Sequence, residues 1–162
     1  MKISSKFDVS VPIFDIWEVI FNPHTIGRTI PGCVSVEVID DYTYLSTVAF
    51  KISDLKARYR LISKIEELNS PFRIVTFTTW KGIGIPNNVN QTTTVQLQQK
   101  NSGATEVAID SELNIKGTLA NLSAIIMKAK IESIVEDWGQ RMKSVFEEHC
   151  KPIEKACFHL SL

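Results

Sequence analysis

The chain has 162 residues, 18 Lys+Arg against 18 Asp+Glu, 44% hydrophobic and 22% charged residues. That length is enough for one domain with a sizeable core, and the composition is ordinary for a globular protein. The balanced charge argues against nucleic acid as the main partner, because phosphate binding leaves an overall basic excess, but it leaves room for a local basic face.

The opening Met1–Phe7 lacks a hydrophobic signal core, and no run reaches the ~18 apolar residues of a membrane span, so a cytoplasmic protein without a transmembrane anchor is expected. Of the three cysteines, Cys33 is remote from Cys150 and Cys157, and no C-x-x-C occurs, so neither a disulfide framework nor a zinc site is implied. No cofactor or metal is expected.

In chain order, Ile3, Ser5, Phe7, Val9 and Val11 alternate with polar residues, the period of a half-buried strand. Pro12 ends it, and Ile13, Ile16, Trp17, Ile20 and Phe21 follow at helical spacing until Asn22-Pro23. His24–Ile30 reads as a second short helix, and Ile30-Pro31-Gly32-Cys33 as a tight connection. Six strand patterns come next. Val34, Val36 and Val38 alternate, then Tyr44, Ser46, Val48, Phe50 and Ile52, then Leu55, Ala57, Tyr59, Leu61 and Ile65. Phe72–Trp80 is β-branched and aromatic on both sides, Thr92–Gln99 places Val95 and Leu97 together, and Thr105–Lys116 places Val107, Ile109, Ser111, Leu113 and Ile115 together.

The last pattern is the longest. From Thr118 to His149 one stripe runs through Ala120, Ala124, Met127, Ile131, Ile134, Trp138, Met142, Val145 and His149, the mark of an amphipathic helix of ~30 residues. Cys150-Lys151-Pro152 is expected to break it, which leaves one domain over 1–149 and a short tail over 150–162. Strands joined by short turns are antiparallel neighbours. The expectation is therefore an α+β fold: a seven-stranded antiparallel sheet curved around a long C-terminal helix, with two short helices after the first strand.

A sheet wrapped on a helix leaves space where the facing side chains are small. Ala120, Ala124 and Met127 mark that place, and a mostly apolar hollow with a few hydroxyls suits a hydrophobic small molecule. The expected ligand-binding residues are Tyr44, Val48, Phe50, Tyr59, Leu61, Trp80, Ser111, Leu113, Ala124, Met127 and Ile131. The loop carrying Gly82, Ile83, Gly84 and Ile85 reads as a flap at its mouth. On the outer side of the helix start, Leu122, Ile125, Ile126 and Ala129 form an apolar surface for a partner, a second subunit or a membrane. Catalytic groups are scarce: His24, His149 and His159 have no carboxylate or nucleophile at useful spacing, and Asp15 and Glu18 suit a solvated helix start.

Phe7-x-Val9-x-Val11-Pro12, Ile16-Trp17, Asn22-Pro23, Ile30-Pro31-Gly32-Cys33 and the run from Thr105 through Val107, Ile109, Leu113, Ile115, Gly117, Leu119-Ala120 and Leu122 resemble the CoxG family of carbon monoxide dehydrogenase subunits, over residues 2–149. The resemblance implies a START-like, helix-grip fold of the SRPBCC superfamily. It also implies a non-enzymatic binding protein accessory to a molybdenum hydroxylase of the carbon monoxide dehydrogenase type, acting in its assembly or its recruitment to the membrane. The hydrophobic guest would be lipid- or quinone-like. Longer members carry a C-terminal extension ending in a membrane anchor, whereas this sequence stops at Leu162; Ser123 stands where the family usually has Gly. Two alternatives remain: an enzyme of the same superfamily, a cyclase or hydrolase using the same pocket, and an interaction protein that forms a homodimer through the outer apolar surface.

Overall fold

The computed structural model of the chain describes all residues except 53, 85, 86, 102, 118–123, 161 and 162, and at 52, 55, 87, 117, 124, 127 and 150–160 it describes secondary structure alone. The period-two segments form strands and the helical patterns form helices in the order β1 (Lys2–Val9), α1 (Ile13–Val19), α2 (Pro23–Thr29), β2 (Cys33–Asp40), β3 (Thr43–Ile52), β4 (Leu55–Asn69), β5 (Arg73–Gly82), β6 (Asn87–Asn101), β7 (Ala104–Gly117) and α3 (Ala124–Leu160). One seven-stranded antiparallel sheet results, in the order β1-β7-β6-β5-β4-β3-β2, so β1 and β2 are its edges.

Alternation decides which side of each strand faces α3. Ile3 and Val9 on β1, Ser46 and Val48 on β3, Ala57, Tyr59, Leu61 and Ile65 on β4, and Val107, Ile109, Ser111 and Leu113 on β7 are buried on the inner face, as their spacing predicts. β5 had no legible inner side in the sequence; the structure turns Ile74, Thr76, Thr78 and Trp80 inward and leaves Phe72, just before it, exposed. β6 is longer than predicted and adds Val89, Gln91 and Thr93 to the inner face.

α3 lays Ile131, Val135, Met142, Val145 and Phe146 into the sheet. Each such side chain contributes about 1.5–3 kcal/mol through removal from water. Two buried clusters divide the core. One gathers Val48, Tyr59, Leu61, Val89 and Leu113 around Ile131 and Val135; the other gathers Val9, Ile16, Ile65, Ile74, Val95 and Ile109 around Met142 and Phe146.

Two glycines permit close approach. Gly32 has φ +73°, and a Cβ there would stand 2.3 Å from the Ala49 carbonyl oxygen, so only glycine fits the turn between α2 and β2. Gly139 lets α3 settle on β1, where a Cβ would lie 3.0 Å from Phe7 Cε1. The passage from β1 into α1 is tied to the sheet by the Thr105 hydroxyl, which donates to the Val11 carbonyl at 2.7 Å, and by the Ile13 N–H, which donates to Gln99 Oε1 at 2.9 Å.

Three expectations need correction. α3 continues through Pro152 to Leu160 rather than ending at Cys150, since a proline forfeits one backbone hydrogen bond and bends a helix without having to end it. His149 is exposed and does not belong to the buried stripe. Val34 and Val38 are 61% and 54% exposed, because β2 is an edge strand whose pairing is interrupted near both residues. The expected helix start at Thr118 and its residues Leu119, Ala120 and Leu122 lie outside the described residues.

Candidate functional site

Between the concave sheet and the helices lies a hollow of about 220 Å³. The strands supply its floor: Tyr44, Ser46, Val48 and Phe50 from β3, Leu61, Ser63 and Ile65 from β4, Ile74, Thr76, Thr78 and Trp80 from β5, Gln91, Thr93 and Val95 from β6, and Leu113 from β7. α3 roofs it with Ile131, Ile134, Val135, Trp138, Met142 and Phe146. The α1–α2 region closes one flank with Ile20, Phe21, Thr25, Ile26, Thr29, Ile30 and Pro31. Among the described lining residues none is an acid or a base that ionises near neutral pH.

The polar atoms are concentrated by strand register. Tyr44 on β3 stands opposite Ser63 on β4, Ser63 opposite Thr78 on β5, and Thr78 opposite Gln91 on β6. In the neighbouring rank Thr76 stands opposite Thr93, and Thr93 opposite Ser111. Ser63 and Thr78 share a hydrogen bond at 2.9 Å. Trp80 Nε1 donates to Gln91 Oε1 at 3.0 Å, while Gln91 Nε2 donates to Thr93 Oγ1 at 2.9 Å and to Ser111 Oγ at 3.3 Å. The Thr93 and Ser111 hydroxyls lie 3.0 Å apart. A band of neutral hydroxyl and amide groups thus crosses an otherwise apolar floor, with most of its hydrogen bonds made inside the wall.

Two groups stand out electrostatically. The Tyr44 hydroxyl donates to the Phe21 carbonyl at 3.2 Å, and burial, reinforced by nearby Asp41, raises its pKa above the ordinary tyrosine value. Trp138 Nε1 is buried on the roof with no hydrogen-bond partner among the described residues. A buried N–H left without a partner costs about 1–3 kcal/mol.

Of the residues expected to touch a ligand, Tyr44, Val48, Phe50, Leu61, Trp80, Leu113 and Ile131 line the hollow. Tyr59 does not. It is fully buried in an aromatic cluster, stacked on Phe50 with centroids 5.4 Å apart and edge-on to Trp80 at 5.6 Å. Ser111 also stays behind the wall and acts through Thr93 and Gln91. The side chains of Ala124 and Met127, where space was expected, are outside the described residues.

The flap is in part strand: Gly82 ends β5, and the Ile83 N–H donates to the Arg58 carbonyl at 2.9 Å, continuing the pairing with β4. Ile83 and Gly84 are exposed and neither lines the hollow; Ile85 is outside the described residues. Ile125, Ile126 and Ala129 are exposed on α3. Sequence reasoning missed Ser63, Thr76, Thr78, Gln91 and Thr93, as well as the whole α1–α2 flank. Extending the alternation of β6 back from Val95 would have found Thr93 and Gln91.

Among the described residues no cluster of three or more His, Cys, Asp and Glu could hold a metal, and no helix is long and apolar enough to cross a membrane.

Residues 5–146 match the CoxG family of carbon monoxide dehydrogenase subunits. In fold the chain is similar to a conserved protein from Geobacillus kaustophilus, with TM-score 0.81, 16% identity and coverage of 90% of this chain and 94% of that one. It is similar also to a START superfamily protein from Mycobacterium smegmatis, with TM-score 0.71, 11% identity and coverage of 91% and 97%. A third similar structure is the Zhui aromatase/cyclase from Streptomyces sp. R1128, with TM-score 0.65, 9% identity and coverage of 93% of each chain. At these identities the likeness is one of fold. No curated protein matches the sequence. The sheet gripping α3 is the START-like architecture, and with the family match spanning most of its length the chain belongs to the CoxG family of carbon monoxide dehydrogenase subunits.

Proposed function

We propose that this chain is a non-enzymatic carrier that holds one neutral, hydrophobic small molecule, lipid- or quinone-like, between its sheet and α3. In this reading it works in the cytoplasm as an accessory to a molybdenum hydroxylase of the carbon monoxide dehydrogenase type, in the enzyme's assembly or its recruitment to the membrane. The observation that carries the reading is the hollow itself, uncharged among the described lining residues, with Trp138 Nε1 on its roof lacking a hydrogen-bond partner among them. Burying a charged guest among such residues would leave the charge uncompensated, which costs several kcal/mol. An apolar guest with one or two acceptors meets the lining on its own terms, with acceptors toward Trp138 and the hydroxyl band.

Likeness to an aromatase/cyclase keeps an enzymatic reading in view, in which the Tyr44–Ser63–Thr78–Gln91 band would orient a polyketide-like substrate. Against it, Tyr44 is the one titratable side chain among the described lining residues, and burial moves it away from neutral pH.

Titration with a neutral solvatochromic dye tests the carrier reading. It predicts one saturable site per chain, competed by neutral long-chain alcohols and ketones and far less well by fatty acids of equal length. No saturable site, or preference for the carboxylates, would overturn it.

A further inference from the structure

The outward face of the sheet carries its charge unevenly. Lys116 on β7 stands opposite Asn88 on β6, Asn88 opposite Lys81 on β5, and Lys81 opposite Arg60 on β4. Beside this rank β4 adds Arg58 and Lys56, and Lys56 stands opposite Lys51 on β3. Each alternates with an inward residue, such as Tyr59, Leu61, Trp80 or Ile115, and all six cations are exposed. None of them has an ion-pair partner within 4.0 Å among the described residues. Two pairs, Arg60 with Lys81 and Lys51 with Lys56, set like charges directly opposite one another, an arrangement that destabilises a sheet unless something else compensates it. On the same face Asp110 and Glu112 of β7 lie further along the strand, and Asp54, in the turn between β3 and β4, is an exposed acid at the cationic end. A chain of balanced total charge has therefore gathered cations at one end of one face.

That end also exposes aliphatic side chains. Ile83, just beyond β5, is 41% exposed, and Ile125 and Ile126, in the first turn of α3, are 83% and 48% exposed. The placement follows from packing: Ile131 sits in the cluster with Val48, Ala57, Tyr59 and Val89, the inner residues flanking the cationic rank, and Ile125 stands ~9 Å before it along the helix. Large aliphatic residues held in water beside unpaired cations suit an interface that offers negative charge at its surface and hydrocarbon just beneath.

We infer that this end of the molecule is a docking surface for an anionic lipid bilayer, the cations of β3, β4, β5 and β7 meeting the headgroups and Ile83, Ile125 and Ile126 entering the boundary below them. The inference touches the recruitment branch of the proposed function but stands on exposed residues of the sheet's outward face, of the segment after β5 and of the start of α3, none of which lines the hollow, so an empty cavity would leave it intact.

The test is co-flotation of the full chain with vesicles of phosphatidylcholine alone and of phosphatidylcholine with ~30% phosphatidylserine, in low and high salt. Binding is expected to the serine-containing vesicles only, and to fall with added salt. Lys81→Gln with Lys116→Gln should lower the partition coefficient about twenty-five-fold, fivefold per cation, the equivalent of ~1 kcal/mol each near an anionic surface. Lys143→Gln, at an exposed site far along α3, should leave it unchanged, and unaltered thermal unfolding will show that the double variant is folded. Equal binding to both vesicle types, or full binding by the folded double variant, overturns the proposal. So does a wild-type dimer that Ile125→Ser dissociates in the absence of any vesicle binding, which would assign the isoleucines to a second copy of the chain.

Discussion

Thr76 lines the hollow from the middle of β5, opposite Ile65 and Thr93 and facing the α3 roof. The substitution Thr76→Phe directs a ring into the empty space. If the ring takes up about a third of the 220 Å³, some 70 Å³ of hollow disappears, worth ~1.7 kcal/mol at ~24 cal/mol per Å³ of cavity. For a domain of this size that corresponds to a rise in Tm of roughly 3–7 °C. The same ring should abolish uptake of the neutral dye, so stability and binding move in opposite directions. Scanning calorimetry and dye titration on one preparation read both. A fall in Tm of similar size would mean the ring is overpacked against a solid core, and unchanged dye binding in a stabilised variant would place the guest elsewhere. Either result refutes the reasoning.

Other expectations follow from local geometry. Gly32→Ala must find room for a Cβ 2.3 Å from the Ala49 carbonyl oxygen at φ +73°, so it should cost several kcal/mol or prevent folding, read by urea unfolding and soluble yield. Thr105→Val removes the buried hydroxyl that donates to Val11 and should cost about 1–3 kcal/mol in the same assay, with dye affinity unchanged. Glu106 is held below the usual carboxylate range, first by its hydrogen bond from Lys100 and further by the charges of Lys100 and Lys6. Because its folded pKa lies below the unfolded value, its contribution is fully present above ~4.3 and is lost as pH falls through the folded value. Thermal unfolding against pH should show a shallower acid decline in Lys100→Gln than in the wild type.

The sequence made the architecture legible because strand alternation and the α3 stripe are properties of single segments. Leu55–Ile65 and Val107–Ile115 announce their buried sides without reference to anything else. The site was legible only in part because it is made by register. Ser63, Thr76, Thr78 and Thr93 look like ordinary strand residues until β4, β5 and β6 are aligned and their hydroxyls fall into ranks. Likewise Lys81 and Lys116 become one feature only through Asn88 between them. Tyr59 faces inward yet lies outside the lining of the hollow, because inward direction does not distinguish a cavity wall from the aromatic packing behind it. Thr25, Ile26 and Thr29 went unnoticed because α2 contributes by its position across the sheet, which its own short pattern does not encode.

The carrier account is tested most directly by native mass spectrometry of the purified chain, followed by solvent extraction of whatever it retains. It predicts a population heavier by one neutral molecule per chain, released into organic solvent and missing from the Thr76→Phe variant. A single bare mass across preparations, together with no uptake when the chain is offered neutral lipids and quinones, would contradict it.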